Sequence, residues 1–113
     1  MKQILGIVKP ARLEAVEQAL HELDHLPGFT LFNGHGHARG TGSHHAYAAT
    51  EWVPDAHDCI ILMMYCDDAH ADDIVKAIKT ASHTGKPGDG MIAVSDVDTI
   101  VRIRTGDLDD DAV

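Results

Sequence analysis

The chain has 113 residues, a formal net charge of −9 at pH 7 and a hydrophobic content of 44%. This length corresponds to one small domain, residues 1–113, with enough apolar side chains for a core. The acidic balance argues against nucleic acid or an anionic membrane as a partner, because both need a cationic protein surface. The sequence shows no signal-peptide segment and no apolar run of membrane-spanning length, so we expect a cytoplasmic protein without direct membrane insertion.

The first half of the chain predicts a strand, a helix and a second strand. Residues 3–8 form an apolar run of strand length, and Pro10 suits the first position of a helix. Apolar residues then recur at spacings of three, four and three up to Leu23, as in an amphipathic helix, which residues 26–28 end. Residues 29–32 begin the second strand.

A long exposed loop is predicted between the second and third strands, at about residues 37–58. This segment is rich in histidine and glycine and shows little hydrophobic periodicity. Loops of this length inside compact domains usually carry a function.

The second half predicts a buried strand at residues 59–66, a helix at 68–83 with Ile74 and Ile78 towards the core, and strands at 91–94 and 99–104. The order β-α-β-β-α-β indicates an α+β, ferredoxin-like fold with both helices on one face of an antiparallel sheet. Cys59 and Cys66 fall on opposite faces of their strand, which argues against a disulfide between them. The acidic tail, residues 107–113, is expected to be solvated.

The stretch TGKPGDGM, residues 84–91, is a candidate anion site. It does not match a Walker loop, but its glycines let backbone N–H groups approach an anion closely. Taken alone, the stretch fits a plain helix-to-strand connection slightly better.

Two arginines downstream change this balance. On a strand, Arg102 and Arg104 would share one face. Adjacent arginines usually face carboxylates or a phosphate group, so both a phosphate site and pairing with Asp or Glu remain open.

The segments HTGKPGDGMIAVSDV and VRIRTGDLDDDAV together resemble the end of the PII family of signal-transduction proteins, and ILGIVKPARLEAVEQAL resembles its opening strand and helix. The resemblance covers the whole chain, apart from one apparent extra residue near positions 24–27. It implies a homotrimer of ferredoxin-like subunits with an adenine nucleotide (ATP, ADP or AMP) in each cleft between neighbours. It also implies a regulatory protein, not an enzyme, whose long loop docks onto a transporter, an enzyme or a regulator.

The same resemblance assigns the nucleotide contacts, with Arg102 and Arg104 reaching across the interface from the adjacent subunit. On the matching positions, the other contacts are Ile7, Gly28, Phe29, Thr30, Gly36, His37, Arg39, Tyr65, Gly88, Asp89 and Gly90.

Several positions depart from the family pattern. Met91 stands where the family usually has a lysine that contacts phosphate, so we expect triphosphate binding to be weakened most. Gly40 replaces a glutamine and Cys59 a lysine of the family's magnesium and 2-oxoglutarate site. Trp52 replaces a tyrosine that is modified in some members, while Tyr47 matches a neighbouring loop tyrosine. These departures predict a divergent PII-like protein instead of a standard 2-oxoglutarate sensor.

The histidines, nine in all, suggest a second type of site. His21 and His25 stand at i and i+4 of the predicted helix, a spacing that suits metal ligands. The alternative for the loop histidines is that they are solvated or, for His37, packed near the nucleotide cleft. The candidate ligands for a transition metal are His35, His37, His44 and His45.

The sequence therefore leaves three candidate functions. The first is a nucleotide-binding signalling protein, and the second is a histidine-rich, metal-binding or heavy-metal-responsive trimer resembling CutA-like copper-tolerance proteins. The ending RIRTG favours the first. The third, an enzyme that hydrolyses nucleotide, is disfavoured because the sequence shows no nucleophile–base pair. Among PII-like proteins, some are linked to heavy-metal efflux transporters and others to bicarbonate systems, and the histidines favour the former.

Overall fold

The computed structural model describes residues 1–36 and 58–113, which form a four-stranded antiparallel sheet with two helices. The strands lie in the order β2-β3-β1-β4, so that each strand runs antiparallel to its neighbours. This arrangement confirms the predicted α+β, ferredoxin-like fold. The strands are β1 (Lys2–Val8), β2 (Phe29–His35), β3 (Asp58–Cys66) and β4 (Gly90–Asp96), and the helices are α1 (Leu13–His21) and α2 (Asp68–Ser82), with single 3₁₀ turns at Pro10–Arg12 and Asp109–Ala112.

The core lies between the helices and one face of the sheet. Alternate residues of β1 and β3 point to this face because side chains along a strand alternate with period two. Leu62 of β3 is 0% exposed, and Arg12 joins the two helices by donating two hydrogen bonds to the Ala81 carbonyl oxygen, at 2.9 and 2.7 Å. The buried cluster comprises Ile4, Val8, Val16, Leu20, Leu62, Met64, Cys66, Ala71, Ile74 and Ile78.

The opposite face of the sheet is apolar but is covered by neither helix. The strand register aligns one residue from each strand across this face, in the order Phe32, Ile61, Ile7 and Met91. Phe32 is 45% exposed and Met91 is 67% exposed. Burying a large apolar side chain contributes about 1.5–3 kcal/mol, so this face has a substantial driving force for association.

The predicted strand at residues 99–104 is wrong. Val101 forms one isolated bridge with Leu108, and the chain between them turns back on itself, with the Arg102 amide donating to the Asp107 carbonyl at 2.9 Å. Gly106 allows this reversal because it takes a φ of 74°, a region that L side chains rarely adopt. Within the described residues, this segment therefore pairs with the chain's own tail and with no other strand, and Arg102 and Arg104 do not share the face of a strand.

Candidate functional site

The glycine turn between α2 and β4 is organised by the side chain of Asp89. Its carboxylate accepts hydrogen bonds from the backbone N–H groups of Thr84 (2.8 Å) and Gly85 (3.1 Å), and from the Thr84 hydroxyl. The Lys9 ammonium lies 3.2 Å from the same carboxylate and joins the turn to the end of β1. Donation by the Thr84 hydroxyl and amide, together with Lys9, holds the pKa of the Asp89 carboxyl well below its usual range.

The other half of the turn keeps its backbone donors available. Within the described residues, the amides of Gly88 and Asp89 have no backbone or side-chain acceptor, and residue 87 is a proline without an N–H. Gly88 and Gly90 take φ values of 87° and 107°, so successive amides are presented in a conformation that only glycine adopts readily. Unpaired amides in such a turn form a concave surface suited to an anion.

Gly90 brings the turn against β1. A Cβ atom at Gly90 would lie 1.7 Å from the Ile7 carbonyl oxygen, so this position admits no side chain without movement of the backbone. Ile7, Asp89, Gly90 and Met91 line one small cleft at this end of the sheet. Four of the predicted site positions, including the divergent Met91, are therefore adjacent.

A second and larger cleft, of about 760 Å³, lies near the start of β2. It brings both predicted arginines together with four other predicted contacts from the same chain. Arg102 donates from Nε and Nη2 to the Ala112 carbonyl oxygen, at 2.9 and 2.6 Å. The predicted residues in this lining are Gly28, Phe29, Thr30, Tyr65, Arg102 and Arg104.

The two clefts have no lining residue in common and lie at opposite ends of the sheet. Tyr65 pairs with Gln3, whereas Met91 pairs with Ile7, four residues further along β1. Four residues span about 13 Å along a strand, and the strands that flank β1 lie about 10 Å apart. Within one chain, Gly28, Phe29, Thr30 and Tyr65 therefore lie on the arginine side, apart from the glycine turn.

Sequence reasoning missed several residues that shape these clefts, among them Lys9, Pro27 and Ala112. Lys9 reaches the glycine turn, Pro27 lines the larger cleft, and Ala112 supplies the acceptor for Arg102. The pattern KP after the first strand gave no signal for Lys9, and a backbone carbonyl such as that of Ala112 leaves no trace in a sequence.

Most of the remaining predicted site residues lie outside the residues that the structure describes. Gly36 is the last described residue before the gap, and Cys59 lies half-buried at the start of β3. The positions that lie outside the described residues are His37, Arg39, Gly40, His44, His45, Tyr47 and Trp52.

The histidine pair predicted on α1 is wrong, because α1 ends at His21 and His25 lies beyond it. His21 contacts Phe29 edge-on, while His25 stacks on His70 at a centroid distance of 4.3 Å. His35 lies 3.6 Å from the Asp58 carboxylate, measured from Nδ1. Within residues 1–36 and 58–113, no three His, Cys, Asp or Glu side chains are arranged to hold a metal ion.

Comparison with known proteins bears directly on this arrangement. The family model described as nitrogen regulatory protein P-II matches residues 1–107. The chain belongs to the nitrogen regulatory protein P-II family. It is 37% identical over 113 residues to a nitrogen regulatory protein P-II of Azospirillum brasilense and 37% identical to that of Rhizobium meliloti (strain 1021), in each case over the whole of both chains. The protein of that name from Rhodospirillum rubrum is 36% identical over the same length.

Membership of the P-II family confirms the resemblance drawn from the opening strand, the glycine turn and the RIRTG ending. Neither helix in the described part of this P-II chain has the length and apolar character needed to cross a bilayer.

Proposed function

We propose that this P-II protein is a non-catalytic, cytoplasmic signalling protein that binds an adenine nucleotide between neighbouring subunits of a homotrimer. It would then regulate a protein partner, such as a membrane transporter, through the segment at about residues 37–58. The observation that carries the proposal is the division of the predicted contacts between two clefts at opposite ends of one sheet.

Charge and hydrogen-bond donors support phosphate as the ligand. One cleft offers Arg102 and Arg104, and the glycine turn beside the other offers the unpaired amides of Gly88 and Asp89. Guanidinium groups bind phosphate through paired N–H donors, and oriented backbone amides form concave anion sites. Because neither cleft holds both groups, a complete phosphate site takes one half from each of two chains.

The uncovered face of the sheet supports association. Phe32, Ile61, Ile7 and Met91 form a continuous apolar row there, and Ile7 and Met91 also line the smaller cleft. Packing this face against other subunits would bury the row and bring the end of the sheet next to a neighbouring chain. A heterologous contact that closes on itself gives a ring, which is the geometry a trimer requires.

Calorimetric titration tests nucleotide binding, with ATP, ADP and AMP each added with and without Mg²⁺. We expect saturable binding of at least one of them. Arg104→Glu and Gly88→Glu are each expected to weaken it, because the first places a carboxylate in the arginine cleft and the second places one in the glycine turn. Absence of binding to all three at millimolar concentration would refute the proposal.

Mixing the two variants tests whether the site lies between chains. In a trimer assembled at random from equal amounts of Arg104→Glu and Gly88→Glu, about a quarter of the interfaces combine two intact halves. After subunit exchange, about a quarter of the wild-type binding capacity should therefore return. If both halves of the site lay within one chain, no capacity would return.

A further inference from the structure

The acidic tail closes on the larger cleft in a defined way. Ala112 is only 3% exposed, and its carbonyl oxygen accepts both hydrogen bonds that Arg102 donates from Nε and Nη2. The aspartates before it are exposed, as expected for a solvated tail, whereas Ala112 itself is buried and hydrogen-bonded.

Further hydrogen bonds fix the tail against the segment that carries the arginines. The Asp109 amide donates to the Ile100 carbonyl at 2.8 Å, and the Ile100 amide donates to the Asp109 side chain at 3.3 Å. The Asp111 amide donates to the Leu108 carbonyl at 3.1 Å, within the 3₁₀ turn that ends at Ala112. Residues 100–112 therefore form one hydrogen-bonded unit that includes the contact between the Ala112 carbonyl and the Arg102 guanidinium.

The contact leaves Arg102 able to bind an anion. A guanidinium group has five N–H donors, and the Ala112 carbonyl occupies two of them. The acceptor is a neutral carbonyl, and no carboxylate in the described residues forms an ion pair with Arg102. A tail that mimicked phosphate would present a carboxylate, whereas this one orients the arginine and leaves its charge uncompensated.

We propose that the Ala112 carbonyl makes the tail a positioning element of the phosphate site, holding Arg102 in the orientation that phosphate needs. This inference rests on the proposed function. Fixing the guanidinium in advance removes the entropy cost of ordering a long side chain when the ligand binds.

Two variants remove the contact by different routes. A stop codon after Asp111 deletes Ala112 and Val113, and Ala112→Glu displaces the tail because a carboxylate is not accommodated at a buried position. Asp110→Glu is the matched control, since Asp110 is exposed and lies outside the cleft lining, and the change keeps the tail charge and the Ala112 carbonyl. We expect both tail variants to weaken ATP binding about tenfold, because Arg102 keeps its charge but loses its fixed orientation, and the control to match the wild type.

A double-mutant cycle separates positioning from general loss of structure. In an Arg102→Ala background, deletion of the tail should cause no additional loss of ATP affinity, because the group it orients is gone. Tighter ATP binding after deletion would show that the tail competes with phosphate, and an undiminished loss in the Arg102→Ala background would show that it acts elsewhere. Either result would overturn the proposal.

A nucleotide-free measurement keeps this inference distinct from the proposed function. The Arg102 Nε–H should give a resolved, slowly exchanging proton resonance in the wild type and in Asp110→Glu, and should exchange rapidly in both tail variants. Rapid exchange in the wild type would refute the contact whatever the protein binds. Failure of the wild type to bind any nucleotide, with this resonance protected, would refute the proposed function and with it the phosphate role of the tail.

Discussion

Replacing Gly90 by alanine tests the joint between the glycine turn and the sheet. The new Cβ would lie 1.7 Å from the Ile7 carbonyl oxygen and 2.8 Å from the Ile7 carbonyl carbon. Both atoms belong to the backbone of β1 and are not the ends of flexible side chains. The clash can therefore be relieved only if strands β1 and β4 move apart where Gly90 pairs with Val8.

The expected cost is the sum of two effects. A φ of 107° strains any residue with a Cβ by about 1–3 kcal/mol, and forcing atoms into a packed region costs about 1–3 kcal/mol more. We therefore expect Gly90→Ala to lower the free energy of unfolding by about 4 kcal/mol, the middle of the summed range. At about 4 °C for each kcal/mol in a domain of this size, the melting temperature should fall by about 15 °C.

Two other glycines separate these effects. Gly106 has a φ of 74° but nothing within 4 Å of its would-be Cβ, so Gly106→Ala should cost only the backbone strain, about 1–2 kcal/mol. Gly28 has neither a positive φ nor a close neighbour, so Gly28→Ala should change the stability by less than about 0.5 kcal/mol.

Thermal unfolding monitored by circular dichroism, at one fixed protein concentration, would rank the three variants. The expected order of stability is Gly28→Ala, then Gly106→Ala, then Gly90→Ala. If Gly90→Ala melted within about 2 °C of Gly106→Ala, the close approach to Ile7 would not contribute and the reasoning would fail.

Three further predictions concern charge and packing. Met91→Lys should raise ATP affinity about tenfold and leave AMP affinity unchanged, because the added ammonium interacts with the distal phosphates. If calorimetry found that the variant binds ATP and ADP each with the same affinity as the wild type, this expectation would be contradicted. Folding lowers the pKa of Asp89, so its carboxylate stabilises the folded state above its unfolded pKa of about 3.9, and this contribution is lost as the pH falls towards the folded pKa. The melting temperature of Asp89→Asn should accordingly lie below that of the wild type at pH 7 and converge with it on acidification, and a gap that stays constant from pH 7 to pH 3 would rule out the carboxylate as its cause. Leu62→Ala should cost about 2–5 kcal/mol in denaturant unfolding because Leu62 is fully buried, and a loss below about 1 kcal/mol would mean that the core is not packed around it.

Local patterns predicted most of the fold. The apolar run at residues 3–8 lies within β1, and the helix predicted at 68–83 matches α2, whose first turn is capped by Asp67 accepting from the His70 amide. These signals are local, since hydrophobic periodicity and capping each involve residues a few positions apart. The strand predicted at 99–104 failed because alternation does not say which strand a segment would pair with, and in this chain the partner is the tail.

The candidate site was harder to predict because its layout depends on tertiary structure. The residue types of the glycine turn and of Arg102 pointed to phosphate, but their division between two clefts follows from the strand order. The acceptor for Arg102 is a backbone carbonyl, which every residue possesses, so no residue type could have indicated Ala112. Similarly, the stacking of His25 on His70 depends on how the end of α1 meets the start of α2.

The position of Met91 has a consequence for how this P-II protein would respond to dilution. Met91 belongs both to the cleft beside the glycine turn and to the apolar row on the uncovered sheet face. Under the proposed function, ligand binding and subunit association share this residue, so the two equilibria are thermodynamically linked and each strengthens the other by the same factor. The protein would then report the nucleotide level only above the concentration at which its subunits assemble, and cellular abundance would set the threshold of the signal.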